Sequence, residues 1–121
     1  MLPRMTAPLP ALRAALTFAF LHYGAGKLMS APSDVAIYEA IGFGQWPRFV
    51  TGSVEVVCAL GLWLPGWQGR AAAALVATMA VGTFALTAFT TLPFWHLPLL
   101  GAAAATVAIA FRHQLRLPPQ A

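Results

Sequence analysis

Residues 70–92 read RAAAALVATMAVGTFALTAFTTL, and after Arg70 the next ionisable side chain is His96. A hydrocarbon core about 30 Å thick is crossed by about 20 helical residues, and this uncharged run is long enough. It reads as a membrane-spanning helix. The chain around it agrees: 121 residues and 12.8 kDa, with 60% hydrophobic residues, 8% charged residues and a mean hydropathy of +0.74. Soluble domains are about 45–50% apolar and about 25% charged. So few charges cannot clothe a soluble monomer, and so apolar a chain does not stay disordered.

Three more apolar segments flank this one. Together the four expected spans are residues 11–28, 48–64, 70–92 and 94–111. Pro8 and Pro10 stand where a helix starts. Pro65 and Gly66 turn the chain between the second and third spans, and Pro93 divides the third from the fourth. Pro98 falls in a first helical turn, where its missing N–H costs little. Between the first two spans lies a longer loop. Ser33 or Asp34 is an N-cap candidate there, residues 34–41 place Ile37 and Ile41 on one side, and Gly42 suits the stop. The expected fold is all-α: a single domain, residues 1–121, forming a four-transmembrane-helix bundle with a short interfacial helix between the first two spans.

The net charge of +4 and pI of about 10.3 come from cations scattered singly at the ends of apolar segments. That pattern sets membrane orientation rather than binding nucleic acid. Arg4, Arg13, Arg70, Arg112 and Arg116 fall on one side, with Lys27 and Arg48 on the other. The five-cation side is expected in the cytoplasm, so both termini of a multi-pass protein of the cytoplasmic (inner) membrane lie inside. Trp46 and Trp95 fit an aromatic belt outside, Trp63 and Trp67 one inside. A cleaved signal peptide is the rival for the first segment, but His22, Tyr23 and Lys27 interrupt its end. Ala73 with Ala77, Thr78 with Gly82, and Ala102 with Thr106 and Ala110 stand four apart and are expected to mark helix–helix faces. Cys58, the only cysteine, reads as a small buried hydrophobe.

Two ionisable groups lie at bilayer depth, Lys27 and Glu55, where a charge costs several kcal/mol unless paired or wetted. An antiparallel hairpin brings them together. Gly24 and Gly52, three residues before each, allow close approach on the same helical faces. Arg48 is a second candidate partner for Glu55. Tyr23 lies about 40° from Lys27 around the helix and His22 about 140°, so Tyr23 is the better neighbour. His96 begins the fourth helix at the same level. The candidate binding residues are Lys27, Glu55, Tyr23, His22, Trp46 and His96, with Gly24 and Gly52 structural. Without an HxxxH, a cysteine pair, a Ser-His-Asp set or a phosphate loop, no metal or catalytic residue is assigned.

The stretch Tyr23-Gly-Ala-Gly-Lys-Leu28 resembles the end of the first helix in DoxX-like membrane proteins. Ile41-Gly-Phe-Gly-Gln-Trp-Pro-Arg-Phe-Val-Thr-Gly-Ser-Val-Glu55 resembles their second signature, a glycine loop leading into a Gly-x-x-Glu helix. Leu-Gly-Leu-Trp-Leu-Pro at 60–65 and Ala110-Phe-Arg-His113 follow in the same order. The resemblance implies a small four-helix bundle of bacterial or archaeal membranes, and for some members a place in quinone-linked sulfur or redox complexes. Gly24, Lys27, Gly52 and Glu55 match its pattern.

Two functions follow as expectations. The first is a non-catalytic or accessory subunit of a membrane complex, possessing an architectural Lys27–Glu55 pair and partnered by the bilayer, by other membrane proteins or by a second copy. The alternative is an oxidoreductase subunit that binds a quinone or another lipophilic molecule near the outer surface. A transporter is disfavoured because no span is broken near its middle.

Overall fold

A computed structural model describes residues 8–93 and 95–115. Arg4, Arg116 and Phe94, used above for orientation and for the start of the fourth span, lie outside the described residues. Among those residues there are five α-helices and no strand. They are α1 (Pro8–Leu28), α2 (Pro32–Ile41), α3 (Trp46–Gly61), α4 (Gln68–Phe89) and α5 (His96–Ala110), followed by one 3-10 turn, Arg112–Leu115.

The helix ends are set by local chemistry. Pro8 and Pro10 fall within the first turn of α1 rather than before it, where proline's fixed φ suits the helix. α1 stops at a left-handed residue, Ser30 (φ 60°), and the Ala31 N–H returns to the Gly26 carbonyl at 2.9 Å, a Schellman-type ending. α2 begins with Pro32 after Ala31, and no side chain caps it, so neither Ser33 nor Asp34 has the expected role. Proline at the first position removes an N–H that a cap would serve, and Asp34 instead sits in the first turn, where the helix dipole favours a carboxylate. Gly42 (φ 92°) closes α2 through its N–H to the Tyr38 carbonyl at 3.2 Å. α3 starts at Trp46, ahead of the expected residue 48, because Pro47 suits a helical first turn.

α4, at 22 residues, is long and apolar enough to cross a bilayer, about 33 Å at 1.5 Å per residue. α3 and α5 are shorter, 16 and 15 residues. Turn hydrogen bonds lengthen each of them, from Trp63 to Leu60 and Leu64 to Gly61 after α3, and from Gln114 to Phe111 after α5.

α1 packs antiparallel on α3 and α4 antiparallel on α5, and the two pairs face each other. The buried core lies toward one end, where α3 turns into α4. It comprises Leu16 and Phe20 of α1, Ala59 of α3 with the following Leu62, Ala72, Leu75 and Met79 of α4, and Ala104 and Val107 of α5. That same end carries a polar clasp. Arg13 Nη1 donates to the Leu62 carbonyl at 2.8 Å, and Gln114 Oε1 accepts from the Gly69 N–H at 2.6 Å. The outside is apolar all round, with Phe18, Val57, Val81, Phe84, Leu99 and Ile109 exposed, a coat suited to lipid.

The small-residue faces need correcting. Ala77, Ala102, Thr106 and Ala110 point outward. Of the expected positions, Gly82 does lie in the α4–α5 contact, against Leu97, and Met79 meets Gly101 beside it. Spacing by four marks one face of a helix but does not say which face is inside. α5 is buried by Ala104 and Val107, on the side opposite Ala102 and Thr106. Cys58 is half-buried against the core.

Candidate functional site

The end of the bundle opposite the core is arranged around one contact. An ideal Cβ on Gly24 would stand 3.0 Å from the Gly52 carbonyl oxygen and 2.8 Å from Val56 Cγ2. One on Gly52 would stand 3.0 Å from the Gly24 oxygen and 2.9 Å from Lys27 Cβ. α1 and α3 therefore touch backbone to backbone. Beside that contact Lys27 Nζ donates to Glu55 Oε1 at 2.9 Å, with the two side chains 13% and 1% exposed. So dry a pair persists when its geometry is good, and breaking one side is expensive.

Arg48 does not join this pair. It is 4% exposed, and its guanidinium donates to the Lys27 carbonyl, to Ser30 Oγ at 3.0 Å and to Gln45 Oε1 at 2.7 Å, with Phe49 against it at 4.3 Å. Two turns separate Arg48 from Glu55, about 10 Å along the axis, and the open carbonyls at the end of α1 are nearer. A cation at a helix C-terminus also satisfies the dipole.

Tyr23 places its ring 5.8 Å from Lys27 Nζ and stacks on His96 with centroids 5.6 Å apart. His22 meets the edge of Tyr23 at 5.3 Å, so it reaches the charged pair only through that ring. These side chains tie α1 to α5.

The result is a cavity of about 400 Å³, floored by the bundle and roofed by α2. His22, Tyr23, Lys27, Glu55 and His96 line it. Trp46 does not; it is 67% exposed at the start of α3, two residues before the buried Arg48 and on the other side of the same turn. The wall also holds four polar residues outside the expected binding set, Asp34 and Tyr38 on α2, Thr51 on α3 and Thr78 on α4. Asp34, Ile37, Tyr38 and Ile41 share one face of α2 by their i, i+3, i+4 and i+7 spacing, a signal present in the residues once that face is laid on the bundle. Gly26 makes room for Asp34, whose Oδ2 would stand 2.7 Å from a Cβ there. Burial pushes the Tyr38 phenol above its ordinary pKa, while a hydrogen bond with Thr51 and the charge of Lys27 pull the other way.

A volume of 300–1,000 Å³ with a few placed polar groups in an apolar shell is what small-molecule sites have in common. Among the described residues no group of three His, Cys, Asp or Glu side chains is close enough to hold a metal ion.

The described residues form a small all-α protein with an apolar exterior and one helix, α4, long and apolar enough to cross a membrane. A sequence profile of the DoxX-like family matches residues 11–111, and the chain belongs to that family. No curated protein and no solved structure matches it.

Proposed function

We propose that this is a four-span protein of the cytoplasmic membrane, one domain over residues 1–121, that holds a lipophilic small molecule at its outer end as a non-catalytic subunit of a larger, redox-linked membrane complex. In this reading α1, α3, α4 and α5 cross the bilayer, α2 lies on the outer face, and both termini are cytoplasmic. Arg13, Arg70 and Arg112 at the core end support that orientation. So do the exposed tryptophans, Trp46 and Trp95 at one end and Trp63 and Trp67 at the other.

The observation that carries the functional reading is the roofed cavity with Lys27 and Glu55 in its wall. A quinone is the first ligand to consider. Its ring oxygens accept, which suits Lys27 and Tyr38, and its reduced form donates, which suits Glu55 and Asp34. Such a group, when bound, would carry electrons and protons between partner proteins. Lys27 and Glu55 would hold its head, the Tyr23–His96 stack would orient it, and α2 would exclude water. Trp46 would anchor α3 at the interface, and Gly24 and Gly52 would keep the charged pair dry.

The test is melting of the purified protein in lipid nanodiscs with and without decylubiquinone. At a hundredfold excess over Kd, binding stabilises the native state by about 2.7 kcal/mol. Protection that disappears in Glu55→Gln supports the reading. Equal melting, together with a native mass spectrum of bare or phospholipid-bearing protein, overturns it in favour of a purely architectural pair.

A further inference from the structure

The cavity has a neighbour. A second hollow of about 440 Å³ lies between α3 and α4, walled by apolar side chains that include Val50 and Val54 of α3 and Ala77, Val81 and Phe84 of α4. Tyr38, Ile41, Thr51, Thr78 and Gly82 line both hollows, so the two adjoin along a shared wall. The charged side chains, Lys27, Glu55 and Asp34, are confined to the part beneath α2. The apolar part opens sideways, because Val50, Val81 and Phe84 are more than half exposed on the outside of the bundle. α3 and α4 pack at the core end through Ala59, Leu62 and Ala71, and toward α2 they are held apart.

One further group points to what the polar part receives. Glu55 is 1% exposed and lines the cavity, and its Oε1 accepts from Lys27 Nζ. Asp34 stands in the same wall and pairs with no cation among the described residues. With Lys27 counted against these two acids, the formal charge around the cavity is negative. An anionic head would be repelled, whereas a neutral head that offers hydrogen bonds would not.

We infer that the ligand is a single-tailed amphiphile with a neutral, ring-sized, hydrogen-bonding head under α2 and an apolar tail that leaves sideways between α3 and α4 into the bilayer. This rests on the binding reading above and adds the route and the shape of the ligand. The tail gains little energy over lipid, since hydrocarbon is as apolar as the groove. The groove's contribution is therefore steric: it lets a long molecule seat its head without threading the tail past α2.

The experiment compares decylubiquinone with the same ring lacking the decyl chain, against wild type and Ala77→Trp in nanodiscs. Ala77 faces outward on α4 and lines the groove but not the head cavity. Membrane partitioning of each compound is identical for the two proteins, so it cancels. The expected result is roughly a tenfold loss of decylubiquinone affinity in Ala77→Trp, about 1.4 kcal/mol, with the tailless ring unaffected. Unchanged decylubiquinone binding in that variant overturns the route while leaving the binding reading intact. Failure of both compounds to bind wild type overturns the binding reading itself. A decylubiquinone analogue with a terminal diazirine provides a check without any substitution. Photolabelling of Val50 or Val81 supports the route, and labelling of Phe18 on the outer face of α1 in their place overturns it.

Discussion

Lys27 and Glu55 form one bond but do not occupy equivalent positions. Glu55 is almost wholly enclosed, whereas Lys27 keeps 13% of its side chain exposed and has a flexible stem. Removing the lysine therefore strands a buried carboxylate, while removing the glutamate leaves an ammonium that can swing toward water. Lys27→Met is expected to cost about 3–5 kcal/mol in unfolding free energy, and Glu55→Gln less. The double variant should be more stable than the two single losses added together predict. Strict additivity in denaturant unfolding would mean that the pair is not coupled. Arg48 raises a parallel question, since it serves the carbonyl of Lys27 and the hydroxyl of the left-handed Ser30 together. Arg48→Met leaves those acceptors bare and should cost about 2–3 kcal/mol, the range for hydrogen bonds to a charged group with an unmet partner. Arg48→Lys should not restore it, because an ammonium cannot reproduce the guanidinium fork; full recovery by lysine in the same assay would contradict this.

The α1–α3 crossing depends on two absent side chains. In Gly52→Ala the new methyl meets Lys27 Cβ at 2.9 Å and the Gly24 oxygen at 3.0 Å, neither of which is the end of a flexible chain. Overpacking of this kind costs about 1–3 kcal/mol. Gly101→Ala, with its nearest contact at 3.2 Å on Met79 Cβ, should cost less, and equal melting of the two variants would argue against the crossing as drawn. How much of this was legible depends on what kind of signal each element carries. α4 was plain because an uncharged run of its length has one physical home. The approach of Lys27 to Glu55 followed from Gly24 and Gly52 at matching offsets and from the hairpin. Other features were hidden for identifiable reasons. Helical angle alone makes Arg48 a candidate partner for Glu55, and nothing in the local sequence shows the open carbonyl of Lys27 that claims it. The outward alanines of α5 look like contacts in the sequence because periodicity locates a face but not its direction. Asp34 and Tyr38 were missed because α2 buries no residue, so its cavity face shows only when placed over the bundle. Gln114, which binds the Gly69 N–H across 45 positions, has no local pattern at all.

At the scale of the whole molecule, one end is filled and the other is hollow. The proposed orientation puts the hollow end outside. A cysteine in place of the exposed Glu39 on α2, with Cys58→Ser, should react in intact cells with a membrane-impermeant maleimide; a cysteine in place of Arg112 should react only after lysis. The reverse pattern would invert the molecule. The uneven filling also has a kinetic meaning. Amide protons exchange through local openings whose free energies range from near zero up to that of global unfolding. The backbone amides of α4 beside Ala72 and Leu75, in the filled end, should exchange only when the whole fold opens. Those of α2, which has no fully buried residue and is flanked by the left-handed Ser30 and Gly42, should exchange orders of magnitude sooner. Guest residence and protein lifetime are then separate clocks: the roof can lift many times while the base stays shut.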